Sequence, residues 1–271
     1  VEENAAKAIA KLFASKFIAR SDVRAIQLPD GEYRPQRDNK FDMPSLLAHL
    51  RGEQTFGHYM VSQDNKVKLF AFDIDLEKVG RLPDAKFGID YVGWKDVELR
   101  EHWASRKQGP GRDVIKLQMK MAASSIARAV TDQLSIPVAV AYSGSKGIHV
   151  YGFTGLVSCE HARKGAQIAL EAAGYSLFKG NNWFRFDAVK AGCQDDPIAN
   201  LANLNVEIYP KQDSLDSTQL GNLMRLPLGR NLRSPKDSCF FIDMRTAMSD
   251  FVPMDSIEAL TTDNIWRYEG E

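Results

Sequence analysis

The sequence predicts an α+β fold, with a mixed α/β sheet as the alternative. Three observations carry this. Helical periodicity of apolar residues marks 3–17 and 114–134. Apolar runs of strand length and character mark 56–60, 67–75, 137–141 and 148–153. The order mixes hairpin-like pairs with helices instead of repeating a strict βα unit.

The first helix, from Glu3 to Phe17, gathers Ala6, Ile9, Leu12, Phe13 and Phe17 on one side. A short strand at Val23–Gln27 and a turn at Pro29-Asp30-Gly31 follow. Pro44 sits in the first turn of a short helix to Leu50. Strands at Phe56–Met60 and Val67–Asp75 flank Asp64-Asn65, which reads as a hairpin. Residues 77–113 mix charge, Gly and Pro with Tyr91, Trp94 and Trp103, and read as an insertion. Those aromatics suit packing on the domain itself, with stacking on nucleic-acid bases as the alternative.

The helix from Val114 to Leu134 carries Leu117, Met121, Ile126, Val130 and Leu134 toward the core. The strand Pro137–Ala141 leads into a glycine-rich loop, and Ile148–Phe153 continues as strand. Ser158 is an N-cap for a helix to Ala173, with Gly174 at C′. Strands at Asn205–Tyr209 and Leu223–Leu228 and a helix over Asp255–Tyr268 complete the reading. The whole of 1–271 reads as one domain of two lobes, with 240–271 a C-terminal helical segment.

Hydrophobic residues make up 44% and charged residues 26%, the balance of a globular chain. No apolar run reaches the roughly 20 residues of a membrane span, and no signal-peptide pattern opens the chain. Cys159, Cys193 and Cys239 are odd in number and far apart. That argues for a reducing, cytoplasmic setting and against a disulfide framework. No CxxC or HxxxH spacing predicts structural zinc. The start at Val1 suits a piece cut from a longer protein. Lys+Arg and Asp+Glu are both 35, which argues against a constitutive nucleic-acid coat. A local basic groove remains, formed by Arg225, Arg230, Arg233 and Lys236 with no acidic residue among them.

The chemistry begins at Leu69-Phe70-Ala71-Phe72-Asp73-Ile74-Asp75. Alternate side chains of a strand share a face, with Cα atoms roughly 6.5 Å apart. Asp73 and Asp75 therefore project together. Paired carboxylates without a counter-charge repel. A divalent cation relieves that, and oxygen-only ligands favour Mg²⁺ or Mn²⁺. The plainer reading makes Asp75 a strand end.

Ser143-Gly144-Ser145-Lys146-Gly147-Ile148-His149 is the second feature. Glycines let backbone N–H groups turn toward an anion, and Ser and Lys add donors and charge. The spacing is not that of a Walker A loop. A glycine-rich hairpin with a half-buried histidine is the alternative; the Lys146 and His149 spacing favours phosphate. Glu207 lies between Val206 and Ile208, so its side chain points away from theirs, and alone it reads as a solvated carboxylate. Gly221-Asn222-Leu223-Met224-Arg225-Leu226-Pro227-Leu228-Gly229-Arg230-Asn231 offers two arginines able to clamp phosphates, or ordinary surface charges. Taken together, three carboxylates beside a phosphate loop meet the requirement of nucleotidyl transfer.

This ordered set resembles the archaeo-eukaryotic primase superfamily: Asp-x-Asp, then Ser-x-x-x-His, then a carboxylate between apolar neighbours. Residues 17–23 and 49–59 resemble primase-polymerases of bacterial mobile and defence systems, in particular the TOTE-type and CRISPR-associated branches. The similarity runs from about Phe17 to Asn231. The resemblance implies an RRM-like antiparallel sheet joined to an αβ unit, with the active site between them. It implies that Asp73, Asp75 and Glu207 are catalytic and hold two Mg²⁺ or Mn²⁺ ions. Many relatives have Asp where Glu207 stands. Ser143, Ser145, Lys146, Gly147, His149, Asn222, Arg225 and Arg230 would bind the nucleotide. Cys159, His161 and Cys193 lack the spacing of the zinc knuckle some relatives carry.

The expected activity is that of a DNA primase and DNA/RNA polymerase joining NTPs or dNTPs to a 3′-hydroxyl, with primer initiation as an extension of the same chemistry. Expected partners are single-stranded DNA template and primer, with helicase, nuclease or CRISPR adaptation modules in a longer protein, and no membrane. The competing readings are a metal-dependent nuclease or phosphohydrolase and a non-catalytic nucleic-acid-binding module.

Overall fold

The computed structural model describes residues 2–76, 110–145, 147–193, 204–216, 218–232, 239–248 and 250–261. Two antiparallel sheets form the frame of an α+β molecule. The smaller has the order β10-β3-β1-β2 and the larger β11-β5-β6-β4-β9-β8-β7.

Helix α1 (Glu2–Phe17) buries Ala10, Phe13 and Phe17 and leaves its lysines outward. Strands β1 (Arg24–Gln27) and β2 (Tyr33–Gln36) form a hairpin over the 29–31 turn, where Gly31 takes φ +87°. Helix α2 (Met43–Leu50) starts at Asp42, whose carboxylate accepts from the Ser45 N–H while the Ser45 hydroxyl accepts from the Asp42 N–H. This capping box satisfies two otherwise orphaned donors. Strand β3 (Phe56–Tyr59) joins β1 and β10 (Leu223–Arg225).

Strand β4 (Lys66–Leu76) does not pair with β3, so the expected hairpin at Asp64-Asn65 is corrected. The turn itself is present, with Asn65 at φ 59° and the Ser62 N–H donating to the Lys66 carbonyl. The chain leaves one sheet and enters the other across it. β4 is instead central to the larger sheet, between β6 (Gly147–Ser158) and β9 (Leu204–Tyr209). β5 (Val138–Tyr142) flanks β6, and β11 (Phe240–Phe241) closes that edge. The hairpin of β7 (Tyr175–Lys179) and β8 (Trp183–Phe186) extends the other edge beside β9.

Helices α3 (Pro110–Leu134) and α4 (Cys159–Ala172) cover one face of this sheet. Ile115, Met119, Ala122, Ile126 and Val130 of α3 are fully buried there, whereas Leu117 and Met121 are only partly buried. Ser158 caps α4 by accepting from the His161 N–H at 3.2 Å, and Gly174 beyond it takes φ +83°. Phe70, Phe72 and Ile74 of β4 point to this helical side and are fully buried. Asp73 and Asp75 must then point to the opposite face.

The smaller sheet and α1 pack against that opposite face. The Phe17 ring meets Tyr151 at 5.1 Å and Phe153 at 5.4 Å between ring centres. The expected strand Leu223–Leu228 stops at Arg225, and Pro227 and Leu228 (φ 66°) lie beyond it. The region from 240, expected to be helical, first supplies β11. It reaches helix only at α5 (Ser256–Thr261). Residues 77–109 of the predicted insertion, with its aromatics, and the end of the expected last helix lie outside the described residues; 110–113 open α3 and are not part of an insertion.

Candidate active site

The site is a row of side chains across adjacent strands. Asp73 of β4 is in register with His149 of β6 on one side and Glu207 of β9 on the other. Glu207 is in turn opposite Trp183 of β8. One step along, Asp75 faces Gly147 and Asn205. Directly opposed residues of an antiparallel ladder share a face. The apolar run that spaced the aspartates by two thus places them together, and the ladder adds histidine and glutamate at the same level. Glu207 is buried, which corrects the reading of it as a solvated surface carboxylate.

The carboxylates are not left without counter-charge, contrary to the expectation from β4 alone. The Lys211 ammonium lies 2.5 Å from Glu207 Oε1. The Tyr209 hydroxyl donates to Glu207 Oε2 at 3.0 Å. Burial, followed by the charges of Glu207, Asp73 and Asp75, raises the Tyr209 phenol far above its ordinary range, so it stays a donor. His149 Nε2 stands 3.4 Å from Asp73 Oδ1, and its Nδ1 is 2.8 Å from the Tyr151 hydroxyl. A carboxylate only accepts, so Nε2 presents a proton to Asp73. The Tyr151 phenol is held protonated by complete burial.

Gly147 has a steric reason. A Cβ there would stand 2.7 Å from the Ile74 carbonyl oxygen and would collide with the Asp75 carboxylate. The missing side chain is what lets Asp75 lie across β6.

The loop between β5 and β6 is pinned by its carbonyls. The Arg225 guanidinium and the Cys239 thiol both donate to the Ser143 carbonyl. The Tyr142 hydroxyl donates to the Ser145 carbonyl at 2.8 Å. A trans peptide points its N–H opposite its C=O, so the Gly144 N–H is turned away from Arg225. The Ser143 hydroxyl accepts from the Gly147 N–H at 3.1 Å, so this donor closes the loop. Gly144 takes φ +70°, open mainly to glycine. Ser145 is half-buried at the tip, and Lys146 lies outside the described residues.

Arg225 comes from the smaller sheet and bridges to the loop of the larger one. Burial opposes its charge, but Cys239, then Tyr33, Tyr151 and Asp73, raise its pKa overall. Asn222 Oδ1 is buried and finds no hydrogen-bond partner among the described residues. Arg230 is exposed and lies elsewhere, in a groove of about 370 Å³ with Leu47 and Leu50 of α2 and Gly229. The structure therefore gathers Asp73, Asp75, Glu207, His149, Gly147 and Ser143 around one face, with Arg225 as their link to the smaller sheet. Arg233 and Lys236 lie outside the described residues.

Several participants were missed in the sequence. Lys211 was readable as the basic end of Glu-x-x-x-Lys following a strand. Arg163 of α4 is buried and donates to Asp213, the Asn182 side chain and the Pro210 and Asn181 carbonyls, so it holds the chain on both sides of Lys211 and just before Trp183. Arg185 donates to the Asn205 side chain at 3.0 Å, next to Asp75. No sequence pattern announced Arg163 or Arg185.

Among the described residues, no group of three His, Cys, Asp or Glu side chains is already gathered as a metal cage. The donor chemistry still fits a hard divalent cation: two carboxylates from one face of β4 and a third from the adjacent position of β9. No described helix is long and apolar enough to cross a membrane.

The sequence model of the archaeo-eukaryotic primase domain of TOTE conflict systems matches residues 31–182 and 192–268. No curated protein matches the chain. The family is one of primase-like nucleotidyltransferases that typically use divalent metals. With the match spanning most of its length, including Asp73, Asp75, His149, Glu207 and Arg225, the chain belongs to the archaeo-eukaryotic primase family, in its TOTE conflict-system branch.

Proposed function

We propose that the chain is a template-directed nucleotidyltransferase, a DNA primase and polymerase that joins NTPs or dNTPs to a 3′-hydroxyl on a single-stranded DNA template. The observation that carries this is the in-register row His149–Asp73–Glu207, with Asp75 one step along and the 143–147 loop at one end. Asp73, Asp75 and Glu207 would hold two Mg²⁺ or Mn²⁺ ions, which when bound activate the attacking hydroxyl and neutralise charge on the triphosphate and the departing pyrophosphate.

The protein's own groups supply the rest. The 143–147 loop offers backbone and hydroxyl donors for phosphate. Arg225 fixes the loop from behind through the Ser143 carbonyl. His149 presents its N–H at the level of Asp73, between the carboxylates and the loop. Tyr209 orients one oxygen of Glu207. Half-burial of both aspartates strengthens each of these interactions relative to open water.

The test compares primed and unprimed DNA templates, with NTPs or dNTPs and Mg²⁺ or Mn²⁺. The chain is expected to extend primers. Asp73→Ala combined with Asp75→Ala is expected to abolish synthesis while retaining DNA binding. Shortening of the DNA without extension would instead identify a nuclease, and synthesis by the double variant would remove the carboxylates from the mechanism.

A further inference from the structure

The β7–β8 hairpin continues the catalytic row outward. Lys179 is opposite Trp183, and Trp183 is opposite Glu207. Ser176 is opposite Arg185, which bonds Asn205 beside Asp75. Lys179, Trp183, Ser176 and Arg185 therefore share the face of the carboxylates. The register shifts between Leu177 and Lys179, and Phe178 is the extra residue there. Its ring lies under the Arg185 guanidinium at 4.0 Å, on that same face. Phe178 is 40% exposed. Lys179 is exposed, and Trp183 and Arg185 are partly so. The Lys211 ammonium lies 6.0 Å from the Trp183 ring centre, where platform and catalytic row meet. Among the described residues, the carboxylate at the far end, Asp187, is engaged by the Ser176 hydroxyl and the Lys190 N–H.

Direction follows from in-line displacement. Attacking and leaving oxygens stand on opposite sides of the reacting phosphorus. The glycine loop lies on the β6 side of Asp73, and Glu207 with Trp183 on the other. If pyrophosphate leaves the α-phosphorus toward the loop, the attacking 3′-hydroxyl arrives from β9, β8 and β7. From β9 to β7 is two strand spacings, roughly 10 Å, room for the last nucleotides of a strand.

We infer that the exposed face of the β7–β8 hairpin seats the acceptor strand, the nucleic-acid strand whose 3′-end is extended. This rests on the nucleotidyl-transfer reading. Trp183 and the Phe178–Arg185 stack carry its bases, and Lys179 meets its phosphates. Base–aromatic stacking tolerates every sequence because every base has a π-face. The surface is therefore suited to a strand whose sequence is dictated by the template and not by the protein.

The experiment measures binding of a fluorescein-labelled oligothymidylate to the full chain by anisotropy at fixed salt, alongside steady-state extension. Phe178→Ala, Lys179→Glu and Trp183→Ala are compared with the parent, with thermal melting to confirm folding. Phe178 and Lys179 lie on an exposed edge, so their variants decide the matter even where Trp183→Ala fails to fold. Each folded variant is expected to weaken oligonucleotide binding about tenfold. The KM for primer is expected to rise in parallel and that for the incoming nucleotide to stay within about twofold of the parent. Unchanged oligonucleotide affinity in folded Phe178→Ala and Lys179→Glu overturns the platform. Absence of synthesis by the parent overturns the nucleotidyl-transfer reading separately, and the anisotropy comparison still decides whether the hairpin binds a strand.

Discussion

Glu207 shows how much one side chain's setting departs from its sequence context. Between Val206 and Ile208 it looks like an outward charge, yet it is buried and held by Lys211 and Tyr209. Its face was legible from alternation; its burial was not, because burial depends on β8 covering it from the far side. Asp73 and Asp75 were legible because their spacing alone puts them together. The Lys211 contact has a measurable consequence. Removing the ammonium leaves a buried carboxylate beside Asp73 without its partner, a loss of about 1–3 kcal/mol. Lys211→Met is therefore expected to melt several degrees lower in chelator. A divalent cation replaces the lost charge, so Mg²⁺ or Mn²⁺ should raise the melting temperature of the variant more than that of the parent. An equal metal-induced rise in both would show that Glu207 takes no part in metal binding.

Among the elements, the segments that resemble the family far apart in the chain prove to be one structure. His49 Nδ1 accepts from the Phe56 N–H, so its Nε2 donates to the Pro227 carbonyl at 3.0 Å. The Thr55 hydroxyl donates to the Arg230 carbonyl, and the Leu226 N–H to the Phe56 carbonyl. A Cβ on Gly229 would meet the His49 ring at 2.9 Å. Residues 49–59 and 222–231 are thus two halves of one joint, which sequence order alone does not show. The β7–β8 hairpin could have been read: Gly180-Asn181-Asn182 separates runs rich in aromatics. β2 is harder, since Pro35 within it argues against a strand and is tolerated here because β2 is an edge. The contact of β6 with β4 gives the element-scale prediction. Gly147→Ala drives a methyl against the Ile74 carbonyl and displaces Asp75. It should destabilise the fold by about 1–3 kcal/mol and lower extension activity, read by denaturant titration and primer extension. Parental stability and rate would show that Asp75 does not need the space above Gly147.

At the scale of the whole molecule, helices and the central strands followed from periodicity and capping, whereas the division into two sheets did not. β3 and β4 are consecutive, and only long-range pairing sends them to different sheets. That division buries His49 and His58. Burial lowers the His49 pKa from 6.5 to about 4 and that of His58 to about 3. Below pH 6.5 the unfolded chain takes up protons that the folded chain refuses. Stability is therefore full above that value and falls with pH until the folded values are reached. Each histidine contributes a slope of about 1.4 kcal/mol per pH unit within its window. Urea midpoints should fall between pH 7 and 4, and less steeply in folded His58→Leu; an unchanged slope in that variant would assign the acid sensitivity elsewhere. The Arg225 bridge has a consequence of a different kind. One end is rooted in the smaller sheet and the other holds a carbonyl of the glycine loop. The two sheets and the loop form one stiff linkage, so any sliding of the smaller sheet arrives at the loop as a displaced peptide. The shape of the glycine loop is thereby set by packing in a sheet to which the loop does not belong.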